Sequence, residues 1–295
     1  MKKNAKRQSK VGEQVQVYAL ISEASKLEGA HTHPVWRAQV ATPSMPRAQP
    51  MIIKWLDGHL SLSIELACAL AAQCLKLPVP APALVVAPRK FLPTLPISIK
   101  GEHILLIGSE YKNPDSYFAQ ATSNNPAAEE FVWSKLCASE AGPSGAAWDE
   151  LVANEDRHYQ NALFDGANWW LFDHDRALMS VGLFSKNPDD IDLRSALVNF
   201  NAKCNILAAQ MVDRHRGNHG ISDQANEFSR HKAELSILSA ESRKWLHGDM
   251  KIQEIFATTA ILLTAIELRL PALAQHIQAR IEQPSAENLW TSNTD

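Results

Sequence analysis

The segment from Asn154 to Asp175 constrains this chain more than any other. It reads Asn154-Glu155-Asp156-Arg157-His158-Tyr159-Gln160-Asn161, then Ala162-Leu163-Phe164, a polar gap, and Trp169-Trp170-Leu171-Phe172-Asp173-His174-Asp175. An acid, an amide five residues on, and a second acid at the end of an apolar strand form a specific arrangement. The spacing predicts a hairpin-like segment over 161–173, in which the run 169–172 delivers Asp173 to a cleft on a rigid strand end. Those residue types suit phosphoryl transfer, where positioning and charge neutralisation do most of the work. One carboxylate sits at the nucleophile and accepts its proton. An amide oxygen and a second carboxylate hold Mg2+ against the phosphates, because hard cations prefer oxygen ligands.

The rest of the chain bounds the setting. With 295 residues, 45% of them hydrophobic, it can bury a sizeable core as one large fold or two joined lobes. Its 29 Lys and Arg against 32 Asp and Glu argue against direct nucleic-acid contact, which needs a basic excess. The most apolar stretch, 256–266, ends at Glu267 and Arg269, so no membrane association is expected. Lys2, Lys3, Lys6, Arg7 and Lys10 lead into no apolar segment, and 1–14 reads as a solvated basic tail rather than a secretory signal. Cys68, Cys74, Cys137 and Cys204 form no CxxC pair, which indicates no zinc or redox site and suits a reducing, cytoplasmic setting.

Alternating and apolar runs predict strands at 15–20, 35–40, 51–56, 83–87 and 103–107. A helix is expected over 61–76, ended by Leu77-Pro78-Val79-Pro80-Ala81-Pro82 because proline cannot continue it. Further helices are expected at 126–139, 146–154, 190–213 and 253–270, with a loop over 216–225 and a break or kink at Pro271. The expected fold class is α+β: a β-rich small N-lobe over 15–110, a mostly helical C-lobe over 111–285, and a C-terminal tail over 286–295.

The run Asp156-Arg157-His158-Tyr159-Gln160-Asn161 resembles the catalytic loop of the HipA-like protein kinases and, more distantly, of the phosphoinositide kinases. Both use Asp-Arg-His-x-x-Asn in place of the His-Arg-Asp order of ordinary protein kinases. The resemblance covers 29–177 and implies a two-lobed protein-kinase-like fold that uses ATP and Mg2+. It implies Asp156 as catalytic base, His158 as a brace of the loop, and Asn161 and Asp173 as metal ligands. Lys54 resembles the lysine that pairs with the α- and β-phosphates, and Glu65 on the next helix would orient it through an ion pair. Gly108-Ser109-Glu110-Tyr111 resembles the segment between the lobes, whose backbone would hydrogen-bond adenine. Gly29 would stand in the phosphate-covering loop, and Thr32 would touch phosphate or be self-phosphorylated, although a plain turn residue is its favoured reading.

Each of these residues has an ordinary reading too, as a surface lysine, an exposed helix acid, or a turn and cap former. Their order along the chain favours the joint reading. A second match, Asp213-Arg214-His215-Arg216-Gly217-Asn218, is followed by no apolar strand with an acid at its end, and the first copy is preferred. His31, His33, His158 and His174 lack the helical spacing of a zinc site, and Asp175 reads as an extra acid near the metal or a solvated loop residue, the second being favoured.

The expected function is a kinase that transfers the γ-phosphate of ATP to a Ser/Thr hydroxyl of a protein substrate. The resemblance adds a toxin-type regulator of growth with a cognate partner or antitoxin protein. Two alternatives keep the fold. One is a kinase of a small molecule or a lipid headgroup, the lipid being disfavoured by Asp189, Asp190 and Asp192. The other is a pseudokinase acting as a nucleotide-responsive interaction module, disfavoured by the intact Lys54, Asp156, Asn161 and Asp173.

Overall fold

The computed structural model describes residues 15–28, 32–123, 125–179, 200, 204–215 and 220–281. Strand periodicity builds its first part. Along β3 (Val35–Thr42) Trp36, Ala38 and Val40 are buried while Arg37 and Gln39 are exposed. The alternation continues with Met51 and Ile53 on β4 (Met45–Lys54), Val85 and Ala87 on β5 (Pro82–Pro88), and Ile104 and Leu106 on β6 (His103–Glu110). These side chains form one core with Tyr18 and Leu20 of β1 (Val17–Leu20). The sheet order is β1-β5-β6-β4-β3-β2, β2 being the short Ser25–Lys26, and β1 also pairs with β3. Five strands therefore form a closed ring that leaves few free edges. β1 runs parallel to β5, and the other pairs are antiparallel. Pro46 and Pro50 are tolerated because that end of β4 pairs with β3, while β6 pairs with Met51–Lys54.

Helix α1 (Gly58–Cys74) enters through Gly58, at a φ of +79 that favours glycine. Ten of its residues are buried, which makes it a core helix rather than an amphipathic surface one. Leu62, Ile64, Leu66 and Cys68 share a second hydrophobic core with Leu84 and Ile107, on the outer face of the strand ring, and with the later helices. The Ser63 hydroxyl donates to the Ile255 carbonyl at 3.2 Å. By its packing α1 thus belongs to the helical core as much as to the sheet.

The later elements are α2 (Ser116–Thr122), α3 (Ala128–Cys137), α4 (Ala141–Leu151), β7 (Ala162–Phe164), β8 (Trp169–Leu171), α5 (Ile206–His215), α6 (Gly220–Arg230), α7 (Lys232–Ser242) and α8 (Met250–Ile281). α4 runs close to its neighbours because it is rich in small residues: a Cβ on Gly142 would stand 2.8 Å from the Leu136 carbonyl oxygen. The hairpin β7–β8 turns on Asp165, whose carboxylate accepts from the backbone N–H of Ala167 and Asn168 and from the Trp170 indole. The proline segment after α1 has a second role, because the Pro78 carbonyl accepts from the Leu171 N–H at 2.8 Å and anchors β8.

Three expectations need correction. The helix expected over 190–213 falls largely outside the described residues, and its described part starts only at Ile206, where the Asn205 side chain accepts from the Ala208 N–H as an N-cap. The stretch 220–225, expected as loop, is the first part of α6, while 216–219 lie outside the described residues. Pro271 does not break α8. It is exposed, so its ring faces water, while buried Leu270 and Leu273 on either side hold the helix in the core. α8 is long and apolar enough to cross a membrane by length and composition, yet 56% of its most apolar window is buried against the rest of the protein.

Candidate functional site

Strand alternation places the lysine. Ile53 points into the ring, so Lys54, the last residue of β4, points out of it, towards the end of β8. Its ammonium donates to Asp173 Oδ1 at 2.6 Å and to Asp175 Oδ2 at 3.0 Å, across more than a hundred residues of sequence. Burial pushes the Lys54 ammonium down, but the fields of Asp173, Asp175 and Glu65 together hold it above its ordinary value. Burial likewise pushes the Asp173 carboxyl up, and the charge and hydrogen bond of Lys54 bring it below its ordinary value. Asp175 goes the other way: burial and the neighbouring Asp173 charge raise it despite Lys54. Asp173 also has a φ of +65, an uncommon conformation for a residue with a side chain and one that gathers at functional sites.

Asp175 is therefore not the solvated residue its sequence context suggests. Its side chain is 9% exposed, and its carboxylate also lies 3.6 Å from His33 Nε2, which comes from the turn before β3. Thr32 is exposed in that same turn, and Gly29 lies outside the described residues.

The segment 154–161 leads from α4 into β7. Asn161 is buried, and its Nδ2 donates to the Asp156 carbonyl at 3.1 Å, which fixes the amide and leaves its oxygen as the donor for a hard cation. The Asp156 side chain faces outward, 44% exposed, with His158 Nε2 2.7 Å away. His158 is itself 58% exposed, so it touches Asp156 but does not brace the loop from within.

Arg157 does that. Fully buried, it meets Asp149 of α4 through two bonds, Nε to Oδ2 at 2.9 Å and Nη2 to Oδ1 at 2.7 Å. Its Nη1 donates to the carbonyls of Phe172 at 2.8 Å and Asn161 at 3.3 Å, and its Nη2 lies 3.2 Å from His174 Nε2. Because a guanidinium only donates, His174 Nε2 carries the lone pair and Nδ1 the proton. That Nδ1 faces Glu65 Oε1 at 3.7 Å, and the His174 backbone N–H donates to Glu65 Oε2. Glu65 thus departs from expectation: it forms no direct ion pair with Lys54 but holds the backbone beside Asp173, and acts on Lys54 through its field.

Glu110 and Tyr111 sit where β6 ends, but their backbone N–H groups are used within the protein, by the carbonyls of Ala81 at 2.9 Å and Pro50 at 3.4 Å. The Glu110 carboxylate pairs with Lys112 at 2.8 Å, and Arg37 stacks 4.3 Å from the Tyr111 ring centroid. Adenine contacts by those two N–H groups are therefore not available. A cavity of about 340 Å3 opens beside the loop, among Phe118, Thr122, Tyr159, Gln160, Leu163 and Phe172.

The second Asp-Arg-His run lies at the end of α5, where Arg214 makes two bonds to Glu130 of α3 at 2.8 and 2.7 Å. The sequence brings Lys54, Asp173 and Asn161 to one region and offers Asp175 as a less favoured extra acid there, but it does not show Asp149, Arg157 and His174 as parts of it. One signal was present: Asp149 and Glu150 interrupt the otherwise apolar run Ala146-Ala147-Trp148 and Leu151-Val152-Ala153, and acids inside such a run need buried partners.

No protein-family model matches the chain, and no curated protein does. Among solved structures the chain is similar to the Helicobacter pylori proinflammatory kinase CtkA, with a TM-score of 0.48 and 11% identity over 88% of this chain and 99% of that one. It is also similar to a chain of the Shewanella oneidensis MR-1 toxin–antitoxin complex of HipA, HipB and operator DNA, with a TM-score of 0.46 and 13% identity over 86% of this chain and 67% of that one.

Proposed function

We propose that this chain is a HipA-like, two-lobed kinase that transfers the γ-phosphate of ATP to a Ser or Thr hydroxyl of a protein. The strand ring with α1 would be the N-lobe and the remaining helices the C-lobe, joined near 110–115. One observation carries the reading: Lys54 from the strand ring meets Asp173 past the end of β8, while Asn161, just before β7, accepts from the Phe172 N–H and donates to the backbone of an outward-facing Asp156.

The donor set suits Mg2+. Asn161 offers an amide oxygen, and Asp173 is an ionised carboxylate that already faces a cation, the Lys54 ammonium. Asn161 and Asp173 would hold the metal, which when bound would neutralise charge on the phosphates. The protein's own groups do the rest. Lys54 would grip the phosphates, Glu65 would hold the Asp173 loop through the His174 N–H, and Arg157 would keep the two loops in register. Asp156 is exposed enough to meet an incoming hydroxyl; as its oxygen bonds to the γ-phosphorus, Asp156 would take the hydroxyl proton and ADP would leave.

A cognate protein partner belongs to the proposal. The expectation of no direct nucleic-acid contact stands on charge balance alone and is not carried into it.

The test is transfer of label from γ-labelled ATP with Mg2+ to the protein itself or to an extract. Asp156→Asn should lower turnover about a hundredfold or more while ATP binding persists. Asp173→Ala should abolish transfer. Transfer retained in both variants would reject the assigned site, and ATP binding without transfer in the wild type would favour the interaction-module reading.

A further inference from the structure

In the structure Lys54 is already engaged. Asp173 and Asp175 both accept from its ammonium, at 2.6 and 3.0 Å, and the lysine side chain is only 17% exposed. One of these partners has a further task, since Asp173 is the metal-binding acid of the proposed kinase. Asp175 has none there, yet its carboxylate is the more deeply buried of the two, 9% exposed against 32%. The same carboxylate lies 3.6 Å from His33, whose ring meets Trp55 edge-on with centroids 6.2 Å apart. Asp175 thus joins the end of β8, the end of β4 and the turn before β3 through one anionic group placed against the lysine.

A phosphate oxygen and a carboxylate oxygen make the same demand on an ammonium: an anionic acceptor at about 2.7–2.9 Å. Lys54 cannot serve Asp175 and a nucleotide phosphate with the same N–H. We propose that Asp175 is a built-in competitor of the nucleotide for Lys54, a positioning residue that occupies one of the three ammonium N–H groups in the unloaded site and gives it up to the phosphates. This rests on the kinase reading of the site and assigns a role to an acid which that reading leaves over.

The experiment is ATP and adenosine binding to the full chain in EDTA, by calorimetry, for wild type, Asp175→Asn and Asp175→Ser, with circular dichroism to verify folding. Loss of one charged hydrogen bond to Lys54 should tighten metal-free ATP binding about tenfold in both variants. Adenosine, which has no phosphate, should bind them as it binds the wild type. In a Lys54→Met background the Asp175→Asn change should have no effect on ATP affinity, the signature of a coupled pair. Unchanged or weaker ATP binding in the folded variants would overturn the proposal, as would an equal gain for adenosine. If neither ATP nor adenosine binds the wild type or the variants, the nucleotide reading of the site fails, and the competitor role with it.

Discussion

Replacing Arg157 by leucine should be among the most damaging single changes this protein can suffer outside its apolar core. The side chain is fully buried, as is Asp149, so no water can take over its bonds. In the variant the Asp149 carboxylate keeps only the Asn154 Nδ2–H at 2.9 Å and loses both guanidinium bonds. Stranding one partner of a buried ion pair costs about 3–5 kcal/mol. The Phe172 carbonyl, which accepts from Arg157 at 2.8 Å, is left without that donor, for roughly 1–3 kcal/mol more. Even the lower end, about 4 kcal/mol, is a large part of the ~5–15 kcal/mol that holds a typical protein folded. At about 2–4 °C per kcal/mol the melting temperature should fall by roughly 10 °C. Thermal and urea unfolding followed by tryptophan fluorescence would measure this, and Asp149→Leu should behave alike. The double variant Asp149→Leu/Arg157→Leu should recover much of the loss, because an apolar pair strands no charge. A fall below about 3 °C for Arg157→Leu, or a double variant worse than the sum of the singles, would refute the claim that a buried charge pair fastens the two loops.

Two further outcomes concern acidity and helix continuity. The Asp175 carboxyl titrates above its ordinary value of 3.8 in the folded protein, so ionising it opposes folding. Wild type should therefore lose stability relative to Asp175→Asn as pH rises from about 4 through that raised value, with no further change above it. Asp173, held below its ordinary value, works in the opposite sense: its stabilisation is present above 3.8 and fades as pH falls through the lowered value. Urea unfolding across this range reads both, and a pH-independent difference between wild type and Asp175→Asn would contradict the Asp175 assignment. Pro271→Ala should raise stability by about 1–3 kcal/mol, since α8 already runs through the position and alanine restores an N–H for the Glu267 carbonyl. Destabilisation on denaturant unfolding would mean the proline relieves a bend that the helix needs.

Periodicity made much of this architecture readable. Alternation in Trp36-Arg37-Ala38-Gln39-Val40 reports which face of β3 is buried, whereas the apolar run Met51-Ile52-Ile53 reports a strand but not which way Lys54 points, which the burial of Met51 and Ile53 settles. The apolar run before Asp173 likewise reports a strand whose end must meet something. Partners are what a pattern does not report. Glu65 and Lys54 were placed on the right elements, yet their pairing depends on where the β8 end arrives, and there the His174 N–H takes the glutamate while two aspartates take the lysine. Asp175 follows Asp173 by two residues in a polar-looking stretch, and only the approach of β4 and His33 buries it. Pro271 does not end α8, because buried Leu270 and Leu273 hold the helix in the core on both sides of it.

The two neighbouring acids of α4 show why the irregular loop 153–158 is held firmly without belonging to a sheet or helix. A loop has no ladder of its own, so its backbone groups and buried charges must find partners in side chains and neighbouring carbonyls. Ala153 turns the chain out of α4 at a φ of +49, and the Asn154 N–H is taken by the Asp149 carbonyl at 2.8 Å. The Asp149 carboxylate then draws Arg157 inward and, through it, the Phe172 carbonyl next to Asp173. One residue further along the helix, Glu150 faces elsewhere and accepts from His276 at 2.7 Å, from Arg280 and from Asn205 at 3.0 Å. Burial alone would push the Glu150 carboxyl up, and these donors hold it below its ordinary value. Consecutive acids on a helix project about 100° apart, so one dipeptide ties the loop that presents Asp156 and Asn161 to β8 on one side and to α8 on the other.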